Sequence, residues 1–142
     1  MRREIAYTAL FDLLQTMNGV TTFGRVLPNY DDVSSSFQPA LYLTLATQEA
    51  RQTKGMPTIY ALKAKLWMYA HRDTNGEVPS IQINNFLDQL DAILAPNPTP
   101  DFTQTLSGKV LHCFIDGVIE TFEGTLGNQE IAVVPITMQV TT

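Results

Sequence analysis

The sequence predicts an α+β domain with one mainly antiparallel sheet of about five strands and two helices packed on one face, in the order α-β-β-β-α-β-β. Three observations carry this. Two segments repeat apolar residues at helical spacing; several others alternate apolar and polar residues with period two; and residues 104–140 read as two long strands joined at GTLGN, apolar on both faces. Two helices of about 10 Å diameter cover one face of a sheet roughly 24 Å wide, and the opposite face is left to something else.

Residues 3–17 form the first helix, with Ile5, Ala9, Leu10, Leu13, Leu14 and Met17 on one stripe and Asn18-Gly19 as its stop. A strand follows at 22–27, closed by Pro28, and residues 28–38 are a polar loop. From Pro39 to Leu45 the chain alternates, Leu41, Leu43 and Leu45 facing one way and Tyr42 and Thr44 the other. Residues 48–57, with Gly55 and Pro57, form a hairpin tip. The strand 59–71 comes next. Tyr60, Leu62, Ala64, Leu66, Met68 and Ala70 share one face; Lys63, Lys65, Trp67, Tyr69 and His71 share the other. Thirteen residues span roughly 43 Å, so part of this hairpin projects beyond the sheet.

Residues 73–76 make a turn, and residues 79–95 form the second helix. Pro79 suits its first turn, Ile83, Phe86, Leu87, Leu90 and Leu94 form its stripe, and Pro96, Pro98 and Pro100 end it. The closing hairpin completes a single domain over residues 1–142. Its Pro135 cannot donate to a ladder and belongs at an edge or bulge. The covered face takes Leu41, Leu43, Leu62, Leu66, Leu111, Cys113, Ile115, Ile119, Val134, Ile136 and Met138. The other face carries Tyr42, Trp67, Tyr69, Val110, Phe114, Val118 and Phe122, which need a partner or a folded-over loop.

Composition narrows the function. The chain has 142 residues, 44% of them hydrophobic, and a formal net charge of −5. Nine basic residues without a run give no footprint for gripping nucleic acid. No apolar run reaches the length of a membrane span or a signal-peptide core. One cysteine excludes an internal disulfide and supplies no metal cluster, which suits a soluble protein made in a reducing cytoplasm.

Candidate chemistry is sparse. His112 and Cys113 are adjacent, and strand neighbours point to opposite faces, so Cys113 reads as a small core residue. His71-Arg72-Asp73 reads as a strand end and turn. Asp88 with Asp91, or His112 with Asp116 and Glu120, could be drawn as metal sites; carboxylates on a solvated face explain both. Residues 34–36 are serines without a nucleophile-elbow context, and Leu106-Ser107-Gly108-Lys109 lacks phosphate-loop spacing. No catalytic residue, metal or cofactor is expected.

The segments REIAYTALFDLL, FGRVLPNYDDV, QPALYL, KGMPTIYALKAKLWMYAH, NNFLDQLDAIL and QTLSGKVLHCFIDGVIETFEGTLGNQEIAVVPITMQV run nearly end to end. In them the chain resembles the small tail terminator (tail completion) proteins of long-tailed bacteriophages and prophages. Leu106-Ser107-Gly108 stands where that family pattern leads one to expect two glycines. The resemblance implies a virion protein at the head-proximal end of the tail. It would form a homo-oligomeric ring, typically six-fold, that caps the tail tube, halts its polymerisation and presents a docking surface to the head connector. Its partners would be further copies of itself, the tail tube protein and the connector protein. DNA would pass through the lumen without being gripped, which an acidic subunit favours.

With no catalytic residue or cofactor to carry over, the expected sites are interfaces: Tyr42, Trp67, Tyr69, Phe114 and Phe122 on the uncovered face, and Arg51 and Lys54 at the hairpin tip. Two other readings stay open: another head–tail junction ring such as a stopper or adaptor, and a small ligand-binding or enzymatic domain using the face of His112, Asp116 and Glu120.

Overall fold

The structure, a computed structural model, describes residues 2–28, 37–71, 79–123 and 129–141. Its elements are α1 (Arg2–Leu14), β1 (Thr22–Gly24), β2 (Ala40–Arg51), β3 (Ile59–His71), α2 (Pro79–Ile93), β4 (His112–Ile115), β5 (Glu120–Glu123) and β6 (Gln129–Thr141). They form an α+β fold with a mixed, mostly antiparallel six-stranded sheet in the order β1-β2-β3-β6-β4, with β5 also on β6. β1 pairs parallel with β2; all other pairings are antiparallel. The expected turn at 73–76, the serines at 34–36 and the GTLGN connection lie outside the described residues.

Strands β3 and β6 are the spine. They pair residue for residue from Ile59↔Thr141 to His71↔Gln129. Their even-numbered side chains meet the helices: Leu62, Ala64, Leu66, Met68 and Ala70 join Ala132, Val134, Ile136, Met138 and Val140 in the main core. Leu41 and Leu43 of β2, and Cys113 of β4, complete that face, with Ile115 packed against it.

Both helices lie on this face. α2 buries Ile83, Phe86, Leu90 and, just past its end, Leu94. Gln104 closes its C-terminus, its Nε2 donating to the carbonyls of Ile93 (3.2 Å) and Ala95 (3.3 Å). α1 buries Ala6, Tyr7, Leu10 and Leu14, followed by Met17, so its buried face is rotated from the expected stripe; Ile5 is 49% exposed. The reason is Tyr7, a large ring that takes the central place, with the Arg25 guanidinium 5.7 Å from its centroid. Arg25 also pairs with Glu4, holding that carboxyl below its usual range. Gln89 ties α2 to the end of α1, accepting from the Asn18 amide (2.8 Å) and donating to the Asn18 carbonyl (3.1 Å).

The first arm of the closing hairpin differs most from expectation. Residues 106–109 are a turn, with Leu106, Ser107 and Gly108 at φ of 50°, 61° and 84°. The Thr105 carbonyl accepts from both Lys109 (2.9 Å) and Val110 (3.1 Å). This turn sends Val110 into the main core and leaves Leu111 44% exposed, the reverse of the faces expected for them. The arm is then interrupted between Ile115 and Glu120, opposite Pro135, which makes β4 and β5 separate strands and leaves Ile119 36% exposed instead of covered.

β1 is three residues long rather than six. The β2–β3 hairpin is longer in its strands than expected, reaching Arg51 with a register shift between Leu45 and Gln48. Leu45 is 55% exposed, not covered, because from that residue to Arg51 β2 has emerged from beneath the helices. β6 accompanies β3 to its far end, so the strands of the hairpin do not project beyond the sheet as their length suggests; only the connecting residues 52–58 extend past it. Arg3 of α1 reaches this outer part, donating to Gln48 Oε1 (2.7 Å) with its guanidinium 4.6 Å from the Tyr60 centroid.

Candidate functional site

The sheet face opposite the helices is divided into two parts by what covers it. At the β1 end, Ala40, Tyr42, Tyr69, Ile131 and Val133 form a second buried cluster, with Leu27 and Trp67 packed against it. Tyr42 and Tyr69 meet edge to face, 5.8 Å between centroids at 82°. Burial pushes both phenols up, Tyr69 further under the influence of Tyr42. Gly24 allows β1 to lie this close: a Cβ there would come within 3.0 Å of the Tyr42 ring. Trp67 is half-buried, and its indole N–H donates to Thr44 Oγ1 at 3.1 Å.

Toward the hairpin end the same face is open. Ile59, Ala61, Lys63 and Phe114 line a trough of about 280 Å³ with Glu49, Arg51 and Asp116 along it. Lys63 Nζ is 3.8 Å from Glu49. Phe114 stacks on His112, 4.7 Å between centroids at 24°. Asp116 Oδ2 accepts from Thr137 Oγ1 at 3.1 Å. The tip itself, from Gln52 to Pro57, is exposed and carries Lys54 and Met56.

The residues named from sequence thus fall into three places. Tyr42 and Tyr69 are packed within the subunit, 7% and 2% exposed. Trp67 and Phe114 are half-buried, and Phe122 is 36% exposed on β5. Arg51 lines the trough and Lys54 caps the tip. Of the other residues placed on this face, Val118 is 78% exposed in the break between β4 and β5, whereas Val110 belongs to the opposite side. Sequence reading missed Glu49, because the register shift after Leu45 decides where it points.

The groups that invite chemistry are held apart. The Cys113 thiol is buried among the helices, and burial pushes it up to about 12. His112 lies on the other face, its Nδ1 accepting from the Gln104 amide at 3.1 Å. Among the described residues no group of three or more His, Cys, Asp or Glu gathers where a metal could sit, so His112, Asp116 and Glu120 share a face without converging. No described helix is long and apolar enough to cross a membrane. No protein-family model matches the chain, and a search of curated proteins finds no match.

Proposed function

We propose that the chain is a non-catalytic structural subunit of a phage tail, a terminator that forms a ring on the head-proximal end of the tail tube, stops its polymerisation and offers the head connector a docking surface. One structural observation carries the assembly part of this reading. The outer half of β2, which α1 reaches through the Arg3–Gln48 bond, and the tip beyond it are exposed from Leu45 to Pro57, with Leu45 and Met56 each more than half exposed and Ile59, where β3 begins, 40% exposed. A sheet edge and turn of this length that place apolar side chains in water are explained by a partner that covers them. The sequence resemblance supplies the identity of that partner: further copies of the chain and the tube end.

The test is electron microscopy of particles made without the protein. Tails of uncontrolled length are the expected result. Complete tails of normal length, detached from heads, would overturn the terminator role and favour a connector ring instead.

A further inference from the structure

Phe102 is poorly placed for the subunit that carries it. It lies in the loop between Asn97 and Thr103, which pair as an isolated bridge. The residue is 66% exposed, so its ring adds little to the core, and its backbone has φ 56°. Glycine or asparagine occupies that left-handed region more easily than a bulky residue does. The loop is nevertheless held in place. The Asn97 N–H donates to the Thr103 carbonyl (2.9 Å), the Thr99 N–H donates to Asn97 Oδ1 (3.2 Å), and Thr103 Oγ1 donates to Asp101 Oδ1 (2.8 Å). Gln104 then ties its end to the C-terminus of α2. An exposed ring at a fixed position loses little freedom when it docks, and aromatic side chains are enriched where proteins touch.

Asp101 is the one charged residue in 95–108. A phenyl ring beside a lone carboxylate fits an apolar cavity with a cation at its rim. Such a groove lies between the start of α1 and the residues after the 106–109 turn. Ile5, Val110, Leu111 and Val140 line it together with Arg2 and Lys109, and no carboxylate of the described residues does. Its volume is about 360 Å³, whereas an enclosed cavity of about 150 Å³ already holds a benzene ring. Ile5 and Leu111 are 49% and 44% exposed. Arg2 donates to the carbonyl and Oγ1 of Thr141, while Lys109 makes no ion pair among the described residues. The trough on the other sheet face is a poorer match, because Glu49 and Asp116 line it alongside its cations. Phe102 does not line the groove of its own subunit, so ring and groove are both left open.

We infer that Phe102 of one copy seats in the groove between α1 and Leu111 of another, with Asp101 beside Lys109. A second copy is the occupant because this chain carries both halves of the contact, an acidic aromatic knob and a cationic apolar groove, complementary in charge and in polarity. The contact takes Phe102, Ile5 and Leu111 out of water together. It rests on the ring reading above and names one contact between its subunits.

Three substitutions test it, all at exposed positions. Phe102→Asn suits φ 56° better than phenylalanine, so its urea midpoint equals or exceeds that of wild type. Its concentration for half-assembly on sedimentation nonetheless rises about thirty-fold, the loss of one aromatic anchor. Asp101→Lys and Lys109→Asp each weaken assembly and lengthen tails in complemented particles. Both together in one chain restore assembly and tail length, because every contact again pairs opposite charges. A loop merely disturbed by loss of the Thr103 bond would not be rescued from the groove.

Phe102→Asn that assembles like wild type, or a double variant no better than its parents, overturns this contact and leaves the ring standing. Lys109→Asp that lengthens tails while soluble oligomers stay unchanged assigns the groove to the tube, and overturns it as well. Wild type that forms no oligomer in solution or on particles overturns the ring and this contact together.

Discussion

Raising the pH across the range where thiols ionise should destabilise this protein through Cys113, and the effect can be isolated. The side chain is buried in the main core, and desolvation lifts its pKa from an ordinary value of 9.0 to about 12. In the unfolded chain the thiol ionises from about pH 9 upward; in the native chain it stays protonated. Its contribution is therefore complete below about pH 9 and is lost as pH rises toward 12. At pH 10 the unfolded state gains about 1.4 kcal/mol over the native one from this group alone. Tyr7, Tyr42 and Tyr69 have pKa values raised by burial and act in the same direction at higher pH, so wild type must be compared with Cys113→Ala, which retains all three tyrosines. Urea unfolding at pH 8 and pH 10 gives the comparison. The stability difference between wild type and variant should shift by about 1.4 kcal/mol between the two conditions, to the disadvantage of wild type. A difference that stays constant would refute the reasoning. So would disulfide-exchange labelling of the native thiol at the rate of an unfolded peptide, since that requires an accessible thiolate.

Five other perturbations have expected outcomes. Tyr69→Ala should cost about 3–5 kcal/mol in urea unfolding, and Trp67→Ala, half-buried, about half as much plus roughly 1 kcal/mol for the bond to Thr44. Ser107→Gly should stabilise by up to about 1 kcal/mol, because Ser107 sits at φ 61° where glycine is unstrained, and an unchanged or lower urea midpoint would count against that strain. Gly117→Ala should destabilise by about 1–2 kcal/mol through its φ of 122° rather than through crowding, since the added Cβ would meet Pro135 Cγ at an ordinary 3.5 Å. Replacing residues 52–56 with a two-residue turn should leave the urea midpoint within about 0.5 kcal/mol of wild type while abolishing ring assembly on native mass spectrometry.

The bounds of β3 were legible because its alternation is unbroken for thirteen residues, and both faces were assigned correctly along it. α2 was equally plain, its stripe starting near Pro79 and stopping before three prolines. Errors arose where a local backbone feature changes the register. Nothing in the letters of Leu106 and Ser107 announces positive φ; the Gly108 beside them and the Thr105 before them were the available clues to a turn. The far face shows the same limit. Parity alone puts Trp67 and Tyr69 on it, but whether it is covered depends on where the chain runs after β1, whose Leu27 packs against the cluster, a contact without periodic signature. Gly24, the residue that admits the Tyr42 ring, was the one sequence clue to it.

Pro135 ties the break between β4 and β5 to the interior of the sheet. It lies in β6, a strand with neighbours on both sides. Its carbonyl accepts from the Asp116 amide at 3.0 Å, and a strand residue's N and O point the same way, so its missing N–H also faces the β4–β5 arm. A regular antiparallel pair exchanges two bonds, and here the second cannot form. The ladder stops at Asp116, and Gly117 passes over the proline ring with φ 122°, a backbone that a side chain would strain. Had the β4 register continued, Val118 would stand opposite Val133; Glu120 stands there instead. The break therefore inserts two residues. An even insertion preserves parity, so Phe122 returns to the face of Phe114 while Val118 and Ile119 are left outside the ladder. The exposed Val118–Ile119 bulge is thus the consequence of one proline that cannot donate, and the shape of this edge of the sheet is set by the hydrogen-bond pattern of the core strand behind it.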